Sequence, residues 1–139
     1  MAAKSGRPYI SQSDIDRSFI KVGIGQEKKS KLISEKDKRI TAVHEMGHAI
    51  LFEALPDVGP VHTVSIIPTG SDAAGYTMPL PESDSAHLTK SRMLQDIMVS
   101  MGGRIAEELE FHDVTTGASQ DIKQATSVAR NMVMKYGMS

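Results

Sequence analysis

Two histidines and a glutamate lie together in the segment His-Glu-Met-Gly-His at residues 44–48. Residues four apart in a helix lie one above the other, so His44 and His48 can direct their imidazoles at one point. Imidazole nitrogens bind zinc well, and HExxH on a helix is the pattern of zinc sites that hydrolyse peptide bonds. Glu45 can take a proton from an attacking water and pass it to the leaving amine. We therefore predict a catalytic metal centre.

The third metal ligand is harder to predict. A catalytic zinc site usually has three protein ligands and one position for water, and no histidine follows at the extended motif spacing because residue 54 is alanine. A downstream carboxylate must then complete the site, and spacing does not decide between Asp121 and the pair Glu107 and Glu108. The full set of candidates is Glu107, Glu108, Glu110, Asp113 and Asp121.

The other three histidines have no partner at ligand spacing, so we expect them to be ordinary surface or core residues. They are His62, His87 and His112.

Composition excludes several classes of protein. The chain has 139 residues, enough for one domain with a core. It contains no cysteine, which excludes disulfides, thiolate metal sites and cysteine nucleophiles. No stretch approaches ~18 apolar residues, the length that crosses a membrane, so we expect this fragment to be soluble. Residues 1–40 are basic but contain just two aromatic residues, Tyr9 and Phe19, so no nucleic-acid partner is expected.

The helix that carries the motif is predicted from periodicity and end signals. Ser34 is its N-cap, and it should end near Leu55, because Pro56 disfavours the α conformation in the residue before it. Gly47 costs ~1 kcal/mol relative to Ala in a helix interior. Close approach of another backbone would explain that glycine, although a merely tolerated glycine is the alternative.

The remaining elements are a β-hairpin and further helices. Residues 61–67 are rich in β-branched side chains and predict a strand, with its return strand over 75–80. The next helix begins at Thr89, and Gly102-Gly103 interrupts its pattern at a bend or a tight crossing. Ser119 is the predicted N-cap of the last helix. The fold class is mainly α with a small β-hairpin, a zincin-like helical metallopeptidase domain.

Several longer blocks extend the motif in order along the chain. They are HEMGHAI, PVHTVSIIPTG, GYTMPLP, MGGRIAEEL, VTTGASQDIKQAT and ARNMVMKYGMS. Together they resemble the peptidase domain of the FtsH family of membrane-bound, ATP-dependent zinc metalloproteases, over residues 11–139. Residues 1–10 precede the resemblance and look like an unstructured leader. The resemblance implies a region over 11–33 like the end of an ATPase module with its linker, and a zinc peptidase domain over 34–139 that is incomplete at its C-terminus.

The resemblance also implies roles for individual residues. His44, His48 and Asp121 match the metal ligands of the family, with one Zn²⁺ per chain, and Glu45 matches its catalytic glutamate. Glu107 and Glu108 then become carboxylates that support the ligands or the fold. An unfolded substrate would add as an extra strand beside residues 61–67, in contact with Val64, Ser65, Ile66 and Ile67.

The family works as a homo-hexamer whose ATPase ring unfolds polypeptide substrates. This chain has no GxxxxGK[ST] loop and no membrane-spanning run, so ATP binding and membrane anchoring are expected only in parts of the parent protein that it lacks. The parent would be membrane-anchored, with this domain on the cytoplasmic side or in an organelle matrix or stroma. Family members continue beyond the position of Ser139, so a non-catalytic zinc-binding or assembly module is the alternative for this fragment.

Overall fold

The computed structural model describes residues 8–24, 33–69, 73–80 and 87–139. It confirms a mainly helical fold with one small hairpin. The elements in chain order are α1 (Gln12–Gly23), α2 (Glu35–Ala54), β1 (Val61–Ser65), β2 (Tyr76–Pro79), α3 (Lys90–Phe111), a 3₁₀ turn (Thr116–Ala118) and α4 (Ser119–Met134). Residues 1–7 of the predicted leader lie outside the described residues, and so do residues 25–32, 70–72 and 81–86. None of the described helices is both long enough and apolar enough to cross a membrane.

Helix α2 begins and ends as its sequence predicts. The Ser34 hydroxyl accepts a hydrogen bond from the Asp37 backbone N–H at 3.1 Å, which caps the first turn. At the other end Leu55 is extended, with ψ 132°, as expected for a residue before proline. These two signals place the HExxH motif in the middle of a 20-residue helix.

Helices α2 and α3 cross at two glycines. A Cβ on Gly47 would clash with the carbonyl oxygen of Gly102 and would lie 2.7 Å from Cβ of Ala106. A Cβ on Gly102 would lie 2.7 Å from the carbonyl oxygen of Gly47. Helix α3 runs unbroken through this point. Of the two explanations predicted for Gly102-Gly103, a bend or a tight crossing, the structure shows the tight crossing.

We expect Gly47→Ala to destabilise the chain by about 1–3 kcal/mol, the usual cost of overpacking a tight site. The added methyl meets backbone atoms that cannot rotate away, and this outweighs the ~1 kcal/mol by which alanine favours a helix. Urea unfolding followed by circular dichroism measures the difference. Gly23→Ala is the matched control, because its nearest new neighbour is Sδ of Met78 at an ordinary 3.6 Å. Equal stability of the two variants would contradict the tight crossing.

The hairpin packs on α2 and is shorter than predicted. Its strands are antiparallel, with Val61 opposite Pro79, Val64 opposite Thr77, and an irregularity between Val61 and Thr63. The prediction that the first strand reaches residue 67 is wrong, since β1 ends at Ser65. The backbone N–H of Ile67 donates instead to Oγ of Ser65 at 3.1 Å, a local bond that competes with strand pairing.

Helix α4 packs on α3 and starts differently from the prediction. Ser119 is its first residue rather than its cap, and no side chain caps this helix. The hydroxyl of Thr115 accepts from the Gly117 backbone N–H at 3.1 Å and so begins a 3₁₀ turn that leads directly into α4. This continuous path places Asp121 in the first turn of α4.

Candidate metal centre

Helices α2 and α4 bring three donor side chains together. Nε2 of His48 lies 3.1 Å from Nε2 of His44. Oδ2 of Asp121 lies 3.2 Å from Nε2 of His44 and 3.7 Å from Nε2 of His48. Both histidines are buried, and the three donor atoms form a group able to hold one metal ion.

The spacing of these atoms fits zinc. Two ligand atoms at ~2.0–2.1 Å from a tetrahedral zinc ion lie about 3.3 Å from each other, close to the three separations in this triangle. Two nitrogens and one oxygen also form a donor set typical of catalytic zinc sites, which keep the fourth position for water.

The outer nitrogen of each imidazole is held by a fixed acceptor. Nδ1 of His44 lies 2.7 Å from Oε1 of Glu107, and Nδ1 of His48 lies 2.7 Å from the carbonyl oxygen of Val99. A carbonyl and a carboxylate only accept hydrogen bonds, so each Nδ1 carries a hydrogen and each neutral ring directs a lone pair from Nε2 inward. Two lone pairs that face each other at 3.1 Å favour a cation between them.

The electrostatics of the site also favour a cation. Burial raises the pKa of Asp121, but hydrogen bonds with His44 and His48 outweigh burial and hold that pKa well below its usual range. Burial lowers the pKa of His44, yet hydrogen bonds with Asp121 and Glu107 raise it above its ordinary value. A proton and a metal ion therefore compete for Nε2 of His44, because the neighbouring carboxylates favour positive charge at this position.

Glu45 lies beside this cluster on α2 and faces the hairpin. Its Oε2 accepts a hydrogen bond from the Thr77 hydroxyl at 2.8 Å. Burial raises the pKa of Glu45 above its ordinary value, partly offset by the Thr77 hydrogen bond and by the charges of the two histidines. A carboxylate with a raised pKa is better suited to accept a proton near neutral pH.

The five candidate carboxylates occupy different places. Asp121 alone among them contacts both histidines in the part of the chain that the structure describes. Glu107 is 1% exposed and joins His44 to the backbone N–H of Thr115, which donates to Oε2 at 2.7 Å. The other three lie elsewhere, with Glu108 paired to Arg104, Glu110 paired to Arg39, and Asp113 bonded to the backbone of Val114.

The other histidines lie outside the donor group. The ring of His62 packs edge-on against Phe19 with centroids 5.6 Å apart. His112 ends α3 in the left-handed conformation, with φ 55°. His87 precedes α3.

Sequence analysis did not identify three further features of the site. They are the Thr77 hydroxyl, the Val99 carbonyl and Gly103, where a Cβ would lie 2.5 Å from the His44 ring. A backbone carbonyl leaves no side-chain signal, and a glycine that makes room for a ring looks like any other helical glycine. Only the Gly102-Gly103 pair, already unusual in a helix, pointed to close packing at this position.

Glu107→Gln is expected to weaken zinc binding by about 10–100-fold, the usual cost of losing a partner that orients a ligand. In glutamine an NH2 group replaces one carboxylate oxygen and would face the N–H of His44 or of Thr115, so one of the two hydrogen bonds would be lost. Titration against a chromophoric zinc chelator measures the change. Glu108→Gln is the control, because Glu108 is an exposed neighbour on the same helix. Equal zinc affinity in the two variants would contradict this supporting role.

Known proteins with similar sequences identify the family. The model of peptidase family M41 matches residues 31–139. The chain belongs to peptidase family M41. The M41 match includes every side chain of the donor group and of its supporting bonds.

Full-length relatives agree with the M41 assignment. ATP-dependent zinc metalloprotease FtsH of Caldicellulosiruptor bescii is 50% identical over all 139 residues, which are 22% of that protein. FtsH 1 of a Thermoanaerobacter species is 47% identical, and FtsH of Thermotoga maritima is 48% identical, again over the whole chain and 23% of each relative. The chain thus spans about a fifth of the length of these curated relatives.

Proposed function

We propose that this chain is a zinc-dependent endopeptidase domain with one Zn²⁺ ion per chain. The observation that carries the proposal is the convergence of His44, His48 and Asp121 at ligand spacing, with the Glu45 carboxylate beside them. Membership of family M41 and the names of the relatives, zinc metalloproteases, support the same chemistry.

Different residues of the chain have different roles in peptide hydrolysis. Zinc, when bound, supplies Lewis-acid chemistry, which makes water acidic enough to attack near neutral pH and polarises the scissile carbonyl. His44, His48 and Asp121 would hold the ion, while Glu107 and the Val99 carbonyl keep the imidazoles in the required tautomer. Glu45 takes the proton of the attacking water and delivers it to the leaving amine nitrogen.

We further propose that the substrate is unfolded polypeptide, added as a strand beside β1. In the described residues β1 pairs with β2 alone, which leaves its other edge for a second partner. Val64 and Ile66 are each 37% exposed and would contact substrate side chains, together with the partly buried Ser65 and Ile67. The Ile67 N–H already donates to Ser65, so it would not join the new ladder. Recognition through the main chain explains a preference for unfolded polypeptide over any one sequence.

The relatives suggest the larger protein in which this domain acts. They are named ATP-dependent and are several times longer than this chain. We propose that an ATPase module elsewhere in the parent protein unfolds substrates and delivers them to this site. A homo-hexamer anchored in a membrane, with this domain on the cytoplasmic side or in an organelle matrix or stroma, belongs to the same proposal.

Casein hydrolysis tests the enzymatic proposal directly. The purified chain should bind one zinc per chain by elemental analysis and cleave casein. A chelator should abolish cleavage, and added zinc should restore it. Cleavage that persists without metal would refute the proposal.

A second candidate is an assembly module that binds zinc without cutting. It is favoured by an apolar groove between α2 and α3, lined by Ala42, Val43, Met46, Gly47, Ile50, Ala106, Leu109 and Glu110. Several of these apolar side chains are exposed. One zinc per chain with no casein cleavage would support this reading for the isolated chain.

A further inference from the structure

The Thr77 hydroxyl makes two contacts with one residue of the HExxH motif. Its Oγ1 lies 2.8 Å from Oε2 of Glu45 and 2.9 Å from the backbone carbonyl oxygen of the same residue. Thr77 belongs to β2, whereas Glu45 belongs to α2, 32 residues earlier in the chain. The hydroxyl has one hydrogen, which these two acceptors share, so it connects the hairpin to both the carboxylate and the main chain of Glu45.

Strand β2 is packed tightly enough to fix the position of the Thr77 hydroxyl. Thr77 pairs with Val64 across the sheet, and the preceding Tyr76 is buried. At Gly75 a Cβ would lie 2.6 Å from both the Ser65 carbonyl oxygen and Cγ2 of Thr41. The hairpin thus lies against α2 at a distance that only glycine allows at this point.

The two Glu45 oxygens have different surroundings. Oε2 is bound to Thr77, whereas Oε1 has no hydrogen-bond partner among the described residues. No buried side-chain oxygen or nitrogen in that part of the chain lacks a partner, so Oε1 must be reachable by solvent. One oxygen is fixed and the other is free to meet water.

We propose that Thr77 is a positioning residue for Glu45, holding Oε2 so that Oε1 is directed at the attacking water. The proposal rests on the proposed function, in which Glu45 is the general base. A donor to Oε2 stops the carboxylate from rotating, and misplacement of a catalytic group by ~1 Å can cost about 10²-fold in rate. Because β2 pairs with the strand proposed to bind substrate, one hairpin would position both the substrate and the base.

A purely structural tie between β2 and α2 makes a different prediction. Loss of such a structural contact would lower stability and zinc content together. Any residue of similar shape at position 77 would then preserve both. Loss of a positioning contact lowers kcat while KM and zinc affinity stay the same, and only a residue with a hydroxyl restores kcat.

Kinetics of four variants on a fluorogenic casein substrate distinguish the positioning role from the structural role. Rates are normalised to the concentration of zinc-bound chain. We expect Thr77→Val and Thr77→Ala to lose about 10–100-fold in kcat, with KM and zinc affinity within twofold of wild type. Thr77→Ser should keep at least half of the wild-type kcat. Thr126→Val, an exposed threonine on α4, is the matched control and should leave kcat unchanged.

Each other outcome overturns the proposal. A Thr77→Val kcat within twofold of wild type shows that the hydroxyl does not position the base. Equal losses in Thr77→Ser and Thr77→Val, or loss of zinc in either, show a structural tie. An inactive wild-type chain, or a fully active Glu45→Gln variant, refutes the proposed function itself and the positioning role with it.

Discussion

Glu45→Gln is expected to lower kcat for casein cleavage by about 10²–10⁴-fold, the usual contribution of a general base. The amide cannot accept the proton of the attacking water, but it keeps the size of the carboxylate and can still accept a hydrogen bond from Thr77. Because Glu45 is not one of the three donors, zinc affinity should stay within about twofold of wild type. Parallel casein assays and zinc titrations give both quantities.

Glu35→Gln provides the control for that substitution. It makes the same chemical change on the same helix, at a carboxylate whose side chain is 88% exposed and pairs with Lys38. Its kcat should equal that of wild type. If the Glu45→Gln variant cleaves casein at the wild-type rate, another group is the base.

Asp121→Ala is expected to weaken zinc binding by more than the ~10–100-fold cost of losing an outer partner. The substitution removes the only oxygen from the donor triangle and leaves two imidazoles to hold the ion. Casein cleavage should be lost at zinc concentrations that saturate wild type. Competition with a chromophoric chelator measures the affinity, and circular dichroism checks that α4 still forms without its first-turn carboxylate.

The control for Asp121→Ala is Glu108→Ala, which removes another carboxylate that was a candidate ligand. Glu108 lies on the surface in an ion pair with Arg104, so its loss should leave zinc affinity unchanged. Wild-type affinity in Asp121→Ala would show that a different group completes the site. An anomalous-scattering map at the zinc edge would then identify that group directly.

Helix α2 could be predicted almost completely because its signals are local. The cap at Ser34 and the stop before Pro56 act over a few residues, and the four-residue spacing of His44 and His48 follows from helix geometry alone. The same holds for the existence of the hairpin, which β-branched residues and turn chemistry indicate.

Element ends were predicted wrongly where a hydroxyl group intervened. Ser65 ends β1 by accepting from the Ile67 backbone, and Thr115 begins a 3₁₀ turn where a Ser119 cap was expected. Periodicity records which face of an element is apolar. It does not record which backbone N–H a nearby hydroxyl will satisfy.

The sequence by itself predicted the helix that carries the motif, the fold class and, through its ordered blocks, the family. It also indicated metal-dependent chemistry at His44, Glu45 and His48. Spacing left Asp121, Glu107 and Glu108 open, and the family resemblance implied Asp121. Only the tertiary structure shows Asp121 against both imidazoles and Thr77 bonded to Glu45. The physical reason is distance along the chain: Asp121 lies 77 residues from His44, and Thr77 lies 32 residues from Glu45. Contacts of that range depend on how whole helices and strands pack, which no local rule of spacing contains.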